Sequence, residues 1–253
     1  MSQSVNANLL VSPTRLAFEG KDRVKDLILI NVTETTRSYR IEWQENTTDE
    51  RGEYSVIVPS DLSFAASNFI RYSPRQVTLK PGERQIIKLM LRRKSNMDLA
   101  EYRSHLKITA LPPQSDSKKN NRVSEKQGID FKIDVLTSYT LPIIVRTKPI
   151  VSKVKIDSVS INVDENKNAF FEIDLRKQGM TSVTGELNVY WLDESGTETK
   201  VGILRGVNIF HENKRRLINI QWSNYQGQIR GRLRTEYVGG DEFLGKSLAS
   251  HEM

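Results

Sequence analysis

Three histidines are the only imidazoles in the sequence. His105, His211 and His251 share no metal-ligand spacing with one another, and none stands beside a nucleophile motif. The acid pairs Asp49–Glu50 and Asp241–Glu242 are adjacent residues in polar, loop-like stretches, where solvated charge is the ordinary state. A glycine-rich phosphate loop, a Gly-x-Ser-x-Gly elbow and a His-Glu-x-x-His helix are all missing. No catalytic residue, metal or cofactor is therefore expected, and neither is an enzyme. Two cations differ from the background. Arg15 lies in Val11-Ser-Pro-Thr-Arg-Leu-Ala-Phe18 and Arg103 in Ala100-Glu-Tyr-Arg-Ser-His-Leu106, each with apolar or aromatic neighbours. At a cleft between domains a guanidinium can grip a carboxylate through two parallel hydrogen bonds; the alternative is an ion pair within the fold.

A second kind of chemistry belongs to the backbone. Gly128–Val135 reads Gly-Ile-Asp-Phe-Lys-Ile-Asp-Val, so Ile129, Phe131, Ile133 and Val135 alternate with charged residues. This is the pattern of a strand with one apolar face. It follows a basic, polar stretch, Gln114–Gln127, which carries Lys118, Lys119, Arg122 and Lys126 and is too long for a tight hairpin. At a sheet edge such a strand offers another chain both backbone hydrogen bonds and a row of apolar knobs. Paired inside its own sheet, it is an ordinary sandwich strand.

The elements that must hold these residues are short and β-like. The first half predicts strands at Leu9–Val11, Arg23–Val32, Ser38–Gln44, Ile70–Ser73, Gln85–Leu91 and Ser104–Ala110. Lys80-Pro-Gly-Glu83 supplies a turn, Leu111-Pro-Pro113 ends a strand by removing donors, and Asn96–Ala100 allows at most one helical turn. After Leu141–Pro149 the rhythm restarts, with strands expected at Val154–Asn162, Ala169–Leu175, Gly185–Trp191, Lys200–Phe210, Arg216–Trp222 and Gly231–Tyr237. Asp193–Gly196 reads as a hairpin turn, and Phe243–Leu248 as a final strand or a tail. These spacings predict an all-β protein of two sandwiches, 1–147 and 148–253.

At 253 residues, 37% hydrophobic and 27% charged, the chain is long enough for two cored domains. No apolar run approaches the roughly 18 residues of a membrane span, so stable insertion is not expected. The net charge of +7 is spread among acids and lies in no nucleic-acid motif, which favours diffuse surface charge over nucleic-acid binding. The absence of cysteine removes disulfides and thiolate sites without excluding an oxidising compartment.

Several of these segments together resemble the periplasmic pilus-assembly chaperones of the chaperone-usher pathway. Ser12-Pro-Thr-Arg-Leu-Ala-Phe18 resembles the start of their first strand, and Val77-Thr-Leu-Lys-Pro-Gly-Glu-Arg-Gln-Ile-Ile-Lys-Leu89 their turn into the next. Glu101–Pro113 resembles the strand before the long loop and is most similar to the archaic branch. Leu175-Arg-Lys-Gln-Gly179, Gly185–Trp191 and Gly206–Phe210 extend the resemblance through the second half.

The resemblance implies two immunoglobulin-like domains set at an angle with a cleft between them, and a function without catalysis. It implies that Ile129, Phe131, Ile133 and Val135 form a donor strand that completes the fold of a pilus subunit, and that an outer-membrane usher receives the complex. It makes Arg15 an anchor for the subunit's C-terminal carboxylate. The family's second anchor, a lysine, falls at Pro142, and Arg103 is the expected substitute. Glu101 and Arg146 match an ion pair that helps fix the angle between domains, and Pro74 matches a proline that regulates access to the usher. Periplasmic localisation is expected, with a signal segment removed beforehand, and an exposed donor strand could also pair with a second copy. The competing reading is an immunoglobulin-like structural or adhesive protein without chaperone activity.

Overall fold

A computed structural model describes residues 8–58, 63–95, 97–112, 136–227 and 231–253. These residues form eighteen strands and two single 3-10 turns, in agreement with the all-β expectation. They fall into two compact units. The first lies within Met1–Glu45, Leu62–Met97 and Tyr102–Val145, and the second within Asn46–Asp61, Asp98–Glu101 and Arg146–Met253.

The strands of the first unit are β1 (Leu9–Ser12), β2 (Leu16–Phe18), β3 (Val24–Asn31), β4 (Arg37–Gln44), β7 (Ile70–Ser73), β8 (Gln76–Leu79), β9 (Arg84–Leu91), β10 (Glu101–Ala110) and β11 (Ser138–Arg146). They make a four-stranded sheet, β1-β3-β9-β7, and a five-stranded sheet, β2-β11-β10-β4-β8. Period-two burial explains the sandwich. Leu27 and Leu29 of β3 and Ile87 and Leu89 of β9 are buried on one sheet. Tyr39 and Ile41 of β4, Leu106 and Ile108 of β10 and Ile143 and Val145 of β11 are buried on the other. The first segment of chain changes sheets. β1 pairs antiparallel with β3, and β2 pairs parallel with β11. Pro13 lies between the two strands, where its missing N–H can serve neither ladder.

The predicted turn at Lys80–Glu83 is present: Glu83 N–H donates to Lys80 O at 3.0 Å, and Gly82 takes the left-handed φ of 72°. Among the strands not expected from the sequence, four are short, namely β2, β8 and the two strands of the hairpin described next. Each is only three or four residues long, too short for a periodic signal.

The second unit contains β5 (Asn46–Thr48), β6 (Tyr54–Val56), β12 (Lys153–Val163), β13 (Ala169–Gln178), β14 (Val183–Leu192), β15 (Glu198–Ile209), β16 (Arg215–Gln221), β17 (Arg232–Gly239) and β18 (Ser247–Glu252). The sheets are β12-β13-β16 and β15-β14-β17-β18, with β5 and β6 a separate hairpin. Phe171, Ile173, Leu175, Leu187, Val189, Ile218, Ile220, Trp222 and Tyr237 share the core, and the Phe171 and Trp222 rings stack with centroids 4.9 Å apart. Asp193–Gly196 closes β14 onto β15 as predicted, with Gly196 N–H donating to Asp193 O at 3.0 Å. The hairpin of β5 and β6 is tied to this unit. Thr48 Oγ donates to Asn213 Oδ1 at 2.7 Å, Asn213 Nδ2 donates to Thr48 O at 2.9 Å, and Leu217 N–H donates to Glu50 O at 2.7 Å.

Candidate functional site

Cross-strand register decides which side chains of the first unit share a face. β11 pairs with β2 through Ile143↔Leu16, Ile144↔Ala17 and Val145↔Phe18, so one residue back Pro142 stands beside Arg15. Between β10 and β11, Ala110 N–H donates to Thr137 O, Thr147 N–H donates to Ala100 O, and Ser138 Oγ donates to Thr109 Oγ1. All three contacts obey a single antiparallel offset, which puts Pro142 opposite His105 and Ile144 opposite Arg103. His105 in turn pairs with Gln44 of β4. Arg15, Pro142, His105 and Gln44 therefore form one row across four strands, and Arg103 lies two residues along β10 on the same face. The β2 and β10 backbones are two strand spacings apart, roughly 9.6 Å.

The same register accounts for a proline in a central strand. Ala110 N–H donates to Thr137 O, which makes 110 and 137 a hydrogen-bonded pair, so alternate pairs such as 105 and 142 are non-hydrogen-bonded. Pro142 N thus faces β2, where the ladder begins only at Ile143, and its missing donor breaks no bond to β10.

The row is dry. Arg15 is 7% exposed, and Arg103 and His105 are each 1% exposed. The Arg103 Nη1 lies 3.1 Å from His105 Nε2, its guanidinium is 5.8 Å from the Phe64 ring centroid, and the Arg103 backbone N–H donates to Phe64 O at 2.8 Å. Burial, and after it the Arg103 charge, push the His105 pKa down to about 3, so the ring is neutral at pH 7. On the opposite, core-side face of β10, Ser104 Oγ donates to the buried Glu45, which follows β4, at 2.9 Å, and Glu45 also accepts from Ser67 Oγ at 2.7 Å.

The structure thus brings Arg15 and Arg103 to one face of one sheet. The donor-strand residues Ile129, Phe131, Ile133 and Val135, and the stretch Gln114–Gln127, lie outside the described residues. Pro74 joins β7 to β8. The guanidinium of the next residue, Arg75, lies 5.9 Å from the Tyr72 ring centroid, and Arg75 O accepts from Ile41 N–H at 2.8 Å.

Glu101 and Arg146 sit in the second unit as a buried pair. Arg146 Nε donates to Glu101 Oε2 at 3.0 Å. Two partners that no sequence signal indicated, Ser182 and Glu242, complete the arrangement. Ser182 N–H donates to Glu101 Oε2 at 2.9 Å and Ser182 Oγ donates to Oε1. Arg146 Nη2 donates to Glu242 Oε1 at 2.6 Å and to Ser182 O at 3.2 Å. His211 Nδ1 stands 3.2 Å from Glu212 Oε2. Lys177 is buried close by; burial lowers its pKa, and the charges of Glu101 and Glu212 oppose that shift. Glu101, Arg146, Ser182 and Glu242 are 36 to 141 positions apart along the chain and are joined only by the fold.

Among the described residues no cluster of His, Cys, Asp or Glu could hold a metal ion, and no helix is long and apolar enough to cross a membrane. No protein-family model and no curated protein matches the sequence. Solved structures do match. The YadV chaperone aligns over 98% of this chain and 99% of its own at 9% identity, with a TM-score of 0.50. The CupB2 chaperone of Pseudomonas aeruginosa aligns over 96% of this chain and 98% of its own at 12% identity, with a TM-score of 0.50. Two sandwiches in tandem, matched along almost the whole of both chains, give this protein the fold of the chaperone-usher pilus chaperones.

Proposed function

We propose that this protein is a non-enzymatic periplasmic chaperone that stabilises pilus subunits by lending them a strand and delivers them to an outer-membrane usher. One observation carries the reading beyond the fold. The alternating segment Ile129–Val135 leads directly into β11, and β11 lies between the strand that begins after Arg15 and the strand that bears Arg103. A subunit paired with the alternating segment is thereby delivered to a sheet that presents cations for its chain terminus.

The physical logic is an exchange of edges. An incomplete immunoglobulin-like subunit exposes unpaired backbone groups and a core groove. A donated strand satisfies the first, and Ile129, Phe131, Ile133 and Val135 cover the second. Each large apolar side chain contributes roughly 1.5–3 kcal/mol on burial, offset in part by ordering of the donated segment. Arg15 supplies the anchor for the subunit's terminal carboxylate. Arg103 takes the place of the lysine that Pro142 replaces and adds a second charge in a desolvated setting, where charge counts more than in water. Pro74 regulates access of the usher. Release follows when another subunit's strand displaces the donated one, so no cofactor is required.

Co-expression with pilus subunits tests the anchor. Arg15→Ala and Arg103→Ala are each expected to lower the yield of soluble chaperone–subunit complex while the free chaperone folds normally. Capture at the wild-type level by Arg103→Ala removes Arg103 from the anchor, and capture at that level by both variants removes the anchor itself.

A further inference from the structure

Among the described residues, the hairpin of β5 and β6 has one edge with no neighbouring strand. Its register runs Asn46↔Val56, Thr47↔Ser55 and Thr48↔Tyr54, and Asp49 N–H donates to Glu53 O at 3.2 Å. Pairs 49/53 and 47/55 are therefore the hydrogen-bonded ones, and the backbone groups of Tyr54 and Val56 point away from β5. The other side of the hairpin obeys the same alternation. Thr48 O points away from β6 and accepts from Asn213 Nδ2 at 2.9 Å. The β5 side is thus turned towards the second unit, and the β6 side is turned outward.

This outer edge lacks the features that normally keep a strand from pairing with another chain. Tyr54-Ser-Val-Ile-Val58 contains no charge and no proline, and Val56, Ile57 and Val58 are all β-branched. Tyr54 and Val56 share one face of the strand and Val58 continues the alternation; the three are 52%, 69% and 61% exposed. The edge is also held in place. The Tyr54 ring centroid lies 6.2 Å from that of Phe210, and Leu217 N–H donates to Glu50 O at 2.7 Å. A strand fixed in this way loses little further freedom when it pairs.

We propose that two copies of this chain associate by antiparallel pairing of β6 with β6 around a twofold axis at Val56. The segment is complementary to itself. With Val56 opposite its counterpart, Tyr54 of each copy stands opposite Val58 of the other, an aromatic and β-branched pair. In this register the two Val56 residues exchange N–H and C=O bonds, because both groups point outward. Charge sets the direction. Asp49, Glu50 and Glu53 crowd the turn beside Arg51. Antiparallel pairing sends the two turns to opposite ends, whereas parallel pairing would set their acids side by side. The neutral edge also lets two molecules of net charge +7 meet without like charges at the contact itself. A contact this short buries less than the roughly 1,200 Å² of a stable interface, so the dimer is weak and forms at high concentration.

Sedimentation velocity of the intact wild-type chain is expected to show monomer at about 10 µM and a growing dimer fraction towards about 1 mM. Val56→Lys places two like charges at the twofold axis and is expected to weaken association at least about tenfold. Its circular dichroism spectrum should be unchanged, because the side chain is exposed. The combined Ile129→Asp, Phe131→Asp and Ile133→Asp variant keeps β6 and should dimerise like the wild type, which separates this contact from any pairing of donor strands. The chain has no cysteine, so Val56→Cys introduces a single thiol. Its Cα would lie about 5.5 Å from its counterpart, within reach of a disulfide. In a glutathione buffer it is expected to give at least about tenfold more disulfide-linked dimer than Ser195→Cys in the exposed 193–196 turn. A wild type that stays monomeric at about 1 mM, or a dimer that Val56→Lys leaves intact, overturns the proposal. So does a monomeric chain whose recovery of pilus subunits falls in Val56→Lys, which assigns the edge to a subunit strand instead.

Discussion

Replacing Glu101 by alanine tests the energetics of the second unit most sharply. The wild-type carboxylate is 1% exposed and accepts from Arg146 Nε at 3.0 Å, Ser182 N–H at 2.9 Å and Ser182 Oγ. Its removal leaves a buried guanidinium and an unsatisfied buried N–H. Breaking one member of a buried pair typically costs about 3–5 kcal/mol. Two features place this case at the low end. Arg146 keeps Glu242 at 2.6 Å and Ser182 O at 3.2 Å, and Glu242 retains partial contact with solvent. The expected loss is therefore about 3 kcal/mol. Glu101→Gln, which still offers an acceptor to Ser182 N–H, should lose about 1–2 kcal/mol. Of the three tryptophans, Trp191 and Trp222 belong to the second unit and Trp43 to the first. Urea unfolding followed by fluorescence in a Trp43→Phe background thus reports the second unit alone. An unchanged slope with a lowered midpoint is the predicted result. In a double-mutant cycle, Arg146→Met should cost far less in the Glu101→Ala background than in the wild type. A Glu101→Ala loss below about 1 kcal/mol would refute the reasoning, because it would mean that the pair contributes no more than an exposed one.

Other outcomes follow from single sites. His105 has a pKa of about 3 in the folded chain against an ordinary 6.5, so the unfolded chain binds more protons between those values. The stability due to its neutral state is fully present above pH 6.5 and is lost as pH falls towards 3. Its slope is at most about 1.4 kcal/mol per pH unit, and comparison of urea midpoints for the wild type and His105→Gln isolates it from the carboxylates. Gly52→Ala forces a side chain into a left-handed backbone and onto the Arg216 guanidinium, and should lower second-unit stability by about 1–3 kcal/mol in the same fluorescence assay. Tyr237→Phe removes the buried hydrogen bond to Val207 O, 2.8 Å long, and should cost about 1 kcal/mol without changing the fold, as read by circular dichroism and urea midpoint.

How much the sequence disclosed depended on periodicity. Strands with one dry and one wet face, such as β3 with Leu27 and Leu29 and β9 with Ile87 and Leu89, were legible because alternation records burial directly. Turns that need glycine at a left-handed φ, as at Gly82 and Gly196, were legible for the same local reason. β10 was predicted to begin at Ser104 but begins at Glu101. From Glu101 to Leu106 both faces are buried, and Glu101, Arg103 and His105 look like surface residues when read one by one. The chain end was misread differently. Phe243 is buried in a 3-10 turn and Leu244 is exposed, so the last strand begins only at Ser247.

Site residues divided along similar lines. Arg15 and Arg103 could be picked out as cations in apolar surroundings, whereas Glu101 and Arg146 were paired only through a family resemblance. Ser182, Glu242 and the Gly52–Arg216 contact arise from tertiary folding between segments far apart in sequence, and no local pattern encodes them.

The central claim is strand donation, and one measurement meets it directly. Pilus subunits are co-expressed with the wild type and with a variant carrying Ile129→Asp, Phe131→Asp and Ile133→Asp, and soluble complexes are recovered by pull-down after both chaperones are shown to fold. Loss of a stoichiometric complex in the variant alone is the predicted result, since three charges cannot enter a subunit's apolar groove. Equal recovery with both proteins, or with neither, would contradict the account and favour an immunoglobulin-like structural or adhesive protein.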